Sequence, residues 1–205
     1  MTAVAAVGVT VAFGGRTVLD RLDLVAPAGE VTGVTGASGS GKTTLLRVLA
    51  GLQAPDSGEV TYRVDGAGQA VPPKGSIALL AQHPRLVCNP RWTLGQIIAE
   101  PAVIRGADPD VDDTAVKVGL DLELLDRYPG QVSDGQLQRA CLGRVLTQRA
   151  GIVLCDEPTA MLDPIATGAV TTMLRDIAAD GAAVVLVSHD PALIEALTTE
   201  ALALP

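Results

Sequence analysis

The chain has 205 residues, enough for one substantial hydrophobic core and a small subdomain. Hydrophobic residues make up 48% and aromatic residues only 2%, so Ala, Val, Leu and Ile must build that core. A formal charge of −8 argues against nucleic acid as a partner, since that role needs a basic surface.

Short alternating segments open the chain, at Val7–Val11 and Leu22–Val25, broken by Gly14-Gly15 and Pro27-Ala28-Gly29. With Glu59–Val64 they predict a small antiparallel β patch over 1–30 and 59–66. No basic residue precedes the apolar N-terminus, as a secretory signal would require. Val31–Thr35 is an apolar run that stops abruptly, as buried parallel strands do. Lys42–Leu52 follows with Leu45, Leu46, Val48, Leu49 and Leu52 at helical spacing. Asp65–Lys74 reads as a loop and Ile77–Ala81 as a second buried strand. From about 82 to 150 there is no obvious sheet strand, and the segment reads as a helical insertion containing a helix at Gln136–Leu146. Ile152–Cys155 and Ala182–Val187 are further buried strands. The alternation predicts an α/β fold with a mostly parallel sheet, one domain over 1–205. No apolar run approaches the ~20 residues of a membrane span, and Cys88, Cys141 and Cys155 follow no metal or disulfide spacing. A soluble chain in a reducing, cytosolic compartment is expected.

Gly36-Ala37-Ser38-Gly39-Ser40-Gly41-Lys42-Thr43 fits G-x-x-x-x-G-K-[ST], after a strand and before a helix, with Thr44 next. Successive N–H groups of such a loop converge on an anion, and the following helix points its positive end there. Lys42 is suited to β- and γ-phosphates and the Thr43 hydroxyl to Mg²⁺, so a nucleoside triphosphate is the expected ligand. Asp156 and Glu157 end the run Ile152–Cys155. The first is a candidate Mg²⁺ ligand, and the second a base for an attacking water. No N-K-x-D element for guanine is present.

These pieces, with Val132-Ser133-Asp134-Gly135-Gln136 between them, resemble the ATP-binding cassette (ABC) ATPases over nearly the whole chain. The last stretch stands where that family carries L-S-G-G-Q. Gln82 falls at the place of the Q-loop glutamine, Asp163 at the D-loop and His189 at the switch histidine. Phe13 falls where the family stacks an aromatic on adenine. The resemblance implies ATP and Mg²⁺ as cofactors, Gln82 near the metal, and a second cassette whose Ser133, Gly135 and Gln136 cover the nucleotide. It also implies a place on the cytoplasmic side of the membrane, beside transmembrane permease subunits and, indirectly, an extracytoplasmic solute-binding protein.

The stretch Asn89-Pro90-Arg91-Trp92-Thr93-Leu94, with Ile98, Glu100 and Pro101 beyond it, is similar to cassettes of the peptide/nickel uptake group. Tyr128-Pro129 fits the same group. In that setting Arg91 and Trp92 are candidate contacts for a membrane subunit, the alternative being a Trp92 buried in the insertion. The alternative functions are a soluble non-transport ABC ATPase and a regulatory nucleotide-sensing cassette.

Locally Ser133-Asp134-Gly135-Gln136 is a capping box, S-x-x-Q. Asp134 stands where the family has glycine. At ~6 Å and an effective dielectric of ~20, a carboxylate repels each unit of phosphate charge by about 3 kcal/mol. Turned to water, it loses most of that effect to screening. The expectation is a signature that works but is tuned down, or that serves the weaker site of an asymmetric pair.

Overall fold

The computed structural model describes residues 3–64, 67–198 and 200–205. The elements are, in order, β1 (Ala3–Phe13), β2 (Arg16–Ala26), β3 (Val31–Thr35), α1 (Lys42–Leu49), β4 (Ser57–Val64), β5 (Ala67–Gln69) and β6 (Ile77–Leu80). Then come α2 (Leu94–Ile104), α3 (Val111–Lys117), α4 (Asp134–Gln148), β7 (Ile152–Asp156), α5 (Pro164–Ala179), β8 (Ala183–Val187), α6 (Pro191–Leu197) and β9 (Ala201–Ala203). They divide into two compact units. The first is Met1–Leu79, Ala150–Glu157 and Thr171–Pro205; the second is Leu80–Arg149 and Pro158–Val170.

In the first unit, β1 and β2 pair as a hairpin closed by Gly14-Gly15. Both glycines have positive φ, 55° and 81°, the left-handed pair that a two-residue hairpin turn requires. The sheet order is β2-β1-β4-β5 and its pairings are antiparallel. The strands outrun the predicted Val7–Val11 and Leu22–Val25, because pairing across the hairpin recruits residues whose alternation is weak. A short strand at Ala67–Gln69 lies where a loop was expected. The predicted ends at Met1, Thr2, Asp65 and Gly66 fall outside the described residues.

The second sheet of this unit has the order β6-β7-β8-β3-β9, with β7, β8, β3 and β9 parallel. Every residue of β7 and β8 is buried, which explains their continuous apolar runs. Val34, Leu45, Leu49, Leu154, Val185 and Val187 are among the residues of its core. Because β3, β8 and β7 are parallel neighbours, their C-terminal ends at Thr35, Val187 and Asp156 lie along one edge, where open α/β sheets place their ligands. Helix α1 stops at Leu49, short of the predicted Leu52. Gly51, at φ 71°, and Leu52 donate to the carbonyls of Val48 and Arg47 at 3.0 and 2.9 Å, a Schellman ending that turns Leu52 to solvent.

In the second unit α2 buries Leu94, Ile97, Ile98 and Ala102, and α4 buries Leu137, Ala140 and Leu142. The two helices pack together, and Arg144 joins Glu100 across them at 2.7 Å. Thr93 and Gln96 cap α2 reciprocally. Helix α4 runs beyond the predicted Gln136–Leu146 at both ends.

Candidate functional site

The phosphate-type loop occupies the turn between β3 and α1. Gly41 precedes the helix at φ 99°, and a Cβ there would sit 2.9 Å from Val18 Cγ1 and 3.0 Å from the Val18 carbonyl. Both conformation and space therefore demand glycine. Ala37, Ser38 and Gly39 are exposed at the rim, while Lys42 is only 7% exposed. Its ammonium donates to the Gly36 and Ala37 carbonyls at 2.9 and 2.8 Å. The buried Ser40 hydroxyl has no hydrogen-bond partner among the described residues. A held cation, an orphan hydroxyl and a helix N-terminus are what a bound phosphate satisfies together.

The Thr43 hydroxyl donates to Asp156 Oδ2 at 2.6 Å. Among the described residues no cluster of three or more His, Cys, Asp or Glu could hold a metal. The fit is instead to Mg²⁺, a hard cation commonly bound by one or two protein oxygens together with substrate phosphates. Glu157, next along, is 8% exposed and has φ 51°, a left-handed conformation costing of order 1 kcal/mol or more for a non-glycine residue. Its own N–H is tied to the Val187 carbonyl at 3.0 Å. Oε2 accepts from the His189 backbone N–H at 3.2 Å, and the His189 Nε2 lies 3.5 Å from Oε1. Oε1 makes no hydrogen bond, so a buried carboxylate oxygen is left for an incoming donor such as water.

Within the first unit Thr43 thus joins Asp156, Glu157 joins His189, and Lys42 is held by the carbonyls of its own loop. Phe13, at the end of β1, is 51% exposed and does not fill the antiparallel patch. Gln82 belongs to the second unit, half-buried just beyond β6.

The second unit also carries the signature segment. Ser133 caps α4: its oxygen accepts from the Gln136 N–H at 3.2 Å, and Gln136 Oε1 accepts from the Ser133 N–H at 2.9 Å. The Ser133 O–H proton is not used by this cap. A Cβ at Gly135 would stand 2.8 Å from the Met161 carbonyl, a contact no real Cβ tolerates. Gly135→Ala should therefore destabilise the chain by about 1–3 kcal/mol in denaturant unfolding; an unchanged midpoint would contradict this packing. Asp163 accepts from the Ile165 and Ala166 N–H groups at 3.0 and 2.9 Å and from Arg139 at 3.0 Å. The Ala166 N–H above all, with Ile165 and Arg139, holds its carboxyl below the usual range. Gln138, fully buried, donates to the Pro158 carbonyl at 3.3 Å.

Two groups escaped the sequence reading. Arg85 donates to Asp134 Oδ1 at 2.5 Å and to the carbonyls of Pro129 and Val132 at 2.7 and 2.8 Å. The sulfurs of Cys88 and Cys141 lie 3.3 Å apart. That hydrogen bond lowers the Cys88 thiol and, with burial, raises Cys141 far above its ordinary value. Burial pushes Cys155 up to about 12. Iodoacetamide at neutral pH should alkylate Cys88 well before the other two, since the thiolate is the reactive form; equal rates by peptide mapping would contradict the arrangement.

A glycine-rich loop between a buried parallel strand and a helix, with an acid-tipped strand two places along the sheet, defines a P-loop nucleoside triphosphatase. The profile of the ABC transporter family matches residues 19–160. The L-cystine transport system ATP-binding protein TcyN of Escherichia coli is 37% identical over 193 residues, 87% of this chain and 76% of that protein. The oligopeptide transport ATP-binding protein OppF of Haemophilus influenzae is 33% identical over 188 residues, 85% of this chain and 57% of that protein. A dimeric post-hydrolysis state of the ATP-binding cassette MJ0796 bound to ADP and Pi superposes with a TM-score of 0.85 at 25% identity, covering 98% of this chain and 94% of that one. The chain belongs to the ABC transporter family, as an ATP-binding subunit with the ATPase fold. No helix among the described residues is long and apolar enough to cross a membrane.

Proposed function

We propose that this chain hydrolyses ATP to energise an importer of the peptide/nickel type, as one of two cassettes on the cytoplasmic side of the membrane. Its companions are transmembrane permeases and, indirectly, an extracytoplasmic solute-binding protein. The whole span 1–205 works as one ATPase domain, with 82–150 carrying the signature. The observation that carries the hydrolytic reading is the free Oε1 of Glu157, buried and strained beside His189 and next in sequence to Asp156.

In this reading Phe13 stacks on adenine, and the loop Gly36–Thr43, with Thr44, surrounds the phosphates. Lys42 exchanges the Gly36 and Ala37 carbonyls for β- and γ-phosphate oxygens. Thr43 and Asp156 would hold Mg²⁺, which when bound would neutralise charge on the phosphates. Glu157 orients the attacking water and accepts its proton, and His189 contacts the γ-phosphate. The Ser133 hydroxyl and Gly135 N–H of a facing cassette donate to the same phosphate, Gln136 holding Ser133 in its cap and Asp163 bordering the seam.

The importer class rests on the Asn89–Pro101 pattern and on the likeness to OppF. Arg91 is exposed and Trp92 half-buried, and Leu86, ahead of them, is 82% exposed. These residues suit contact with a permease. The test is isolation through a tag on this chain. Integral membrane proteins should accompany it and its ATPase should be vanadate-sensitive; co-purified ribosomes or nucleic acid would contradict the proposal.

A further inference from the structure

A carboxylate at the first position of α4 is an odd neighbour for a hydroxyl and an amide that are to receive a phosphate. The capping box does not need it: Ser133 and Gln136 satisfy each other's N–H groups without Asp134. What Asp134 does have is Arg85, from the short turn Pro84–Leu86, at 2.5 Å. The same planar fork reaches the carbonyls of Pro129 and Val132, so three bonds fix one guanidinium across the segment that leads into α4.

We infer that Arg85 is a positioning residue of the signature: it cancels the charge of Asp134 and holds that carboxylate away from incoming anions. The inference rests on the reading that Ser133 and Gly135 meet a phosphate held by a facing cassette. With the pair intact, the helix start presents the Ser133 proton and the Gly135 N–H with no net charge beside them. With Arg85 gone, an unpaired carboxylate stands one residue from Ser133. Both side chains are nearly half exposed, at 44% and 47%, so water and salt moderate the repulsion. An effect on ATP affinity of about tenfold is what a partly screened unit charge at such range gives.

The test uses the complex isolated through a tag on this chain, reading the KM for ATP. Arg85→Ala should raise it about tenfold. Arg85→Gln, which keeps an amide donor for the carbonyls but no charge, should raise it alike. The double variant Arg85→Ala/Asp134→Gly should return to within about twofold of Asp134→Gly alone, because no carboxylate remains to be neutralised. A double variant as impaired as Arg85→Ala would show that Arg85 acts only by tethering Pro129 and Val132, and would overturn the inference. So would Arg85→Gln behaving like the unaltered chain. Ser133→Ala separates the two levels. If it raises KM while Arg85→Ala does not, the inference alone fails; if it leaves KM unmoved, the reading of the signature fails and the inference with it.

Discussion

Glu157→Gln should lower ATP turnover of the assembled complex by at least about a hundredfold while leaving ATP bound, the range expected for removal of a general base. The amide keeps the size and much of the hydrogen bonding of the carboxylate, including an oxygen for the His189 N–H now 3.2 Å away. It cannot take a proton from water. The backbone strain at φ 51° belongs to the position and is shared by the variant, so folding should be little changed. Turnover near that of the unaltered chain would remove Glu157 from the chemistry and leave its free buried Oε1 without a purpose. Phosphate release and retained nucleotide, measured on the same sample, check both halves of the expectation.

Lys42→Ala should raise the Kd for ATP by about a hundredfold or more. Charge-assisted hydrogen bonds contribute about 1.5–3 kcal/mol each, and the ammonium is placed to make more than one. Truncation has a second consequence in the free protein. The Gly36 and Ala37 carbonyls lose the donor that now stands 2.9 and 2.8 Å from them, so the loop is less ordered before nucleotide arrives. The stabilisation that ATP confers on the unaltered chain, which grows with the logarithm of ligand over Kd, should then disappear at millimolar ATP. Calorimetric titration and the nucleotide-induced rise in Tm are the measurements. An unchanged Kd would contradict the assignment of the loop.

The parts of the site that were legible in the sequence are those whose chemistry is contiguous. Gly36–Thr43 carries the whole G-x-x-x-x-G-K-[ST] pattern in eight adjacent residues, and Asp156-Glu157 stands out by ending an apolar run. The buried parallel strands were legible for the same reason, since a strand covered on both faces is apolar at every position. The boundaries were less so. Leu52 continues the helical spacing of α1, yet Gly51 ends the helix by backbone conformation, and periodicity cannot register that. Strand β9 is three residues long and owes its existence to pairing with β3.

What stayed hidden depends on pairs far apart in the chain. Arg85 and Asp134 are 49 residues apart, and Cys88 and Cys141 are 53. Nothing near either member of a pair hints at the other. The consequence is sharpest at Asp134. Taken alone it implies a signature weakened by its own charge. Beside Arg85 it is half of an ion pair, and the expected penalty passes from Asp134 to any change that removes the arginine.

In the proposed cycle ATP is enclosed by two cassettes, the loop of one opposite the Ser133 segment of the other. Its most direct test is an electron cryo-microscopy structure of the complex carrying Glu157→Gln, with ATP and Mg²⁺ present. The prediction is a Ser133 hydroxyl about 3 Å from a γ-phosphate oxygen whose loop belongs to the facing subunit. Nucleotide held by each loop alone, with no signature segment in reach of its terminal phosphate, would contradict it.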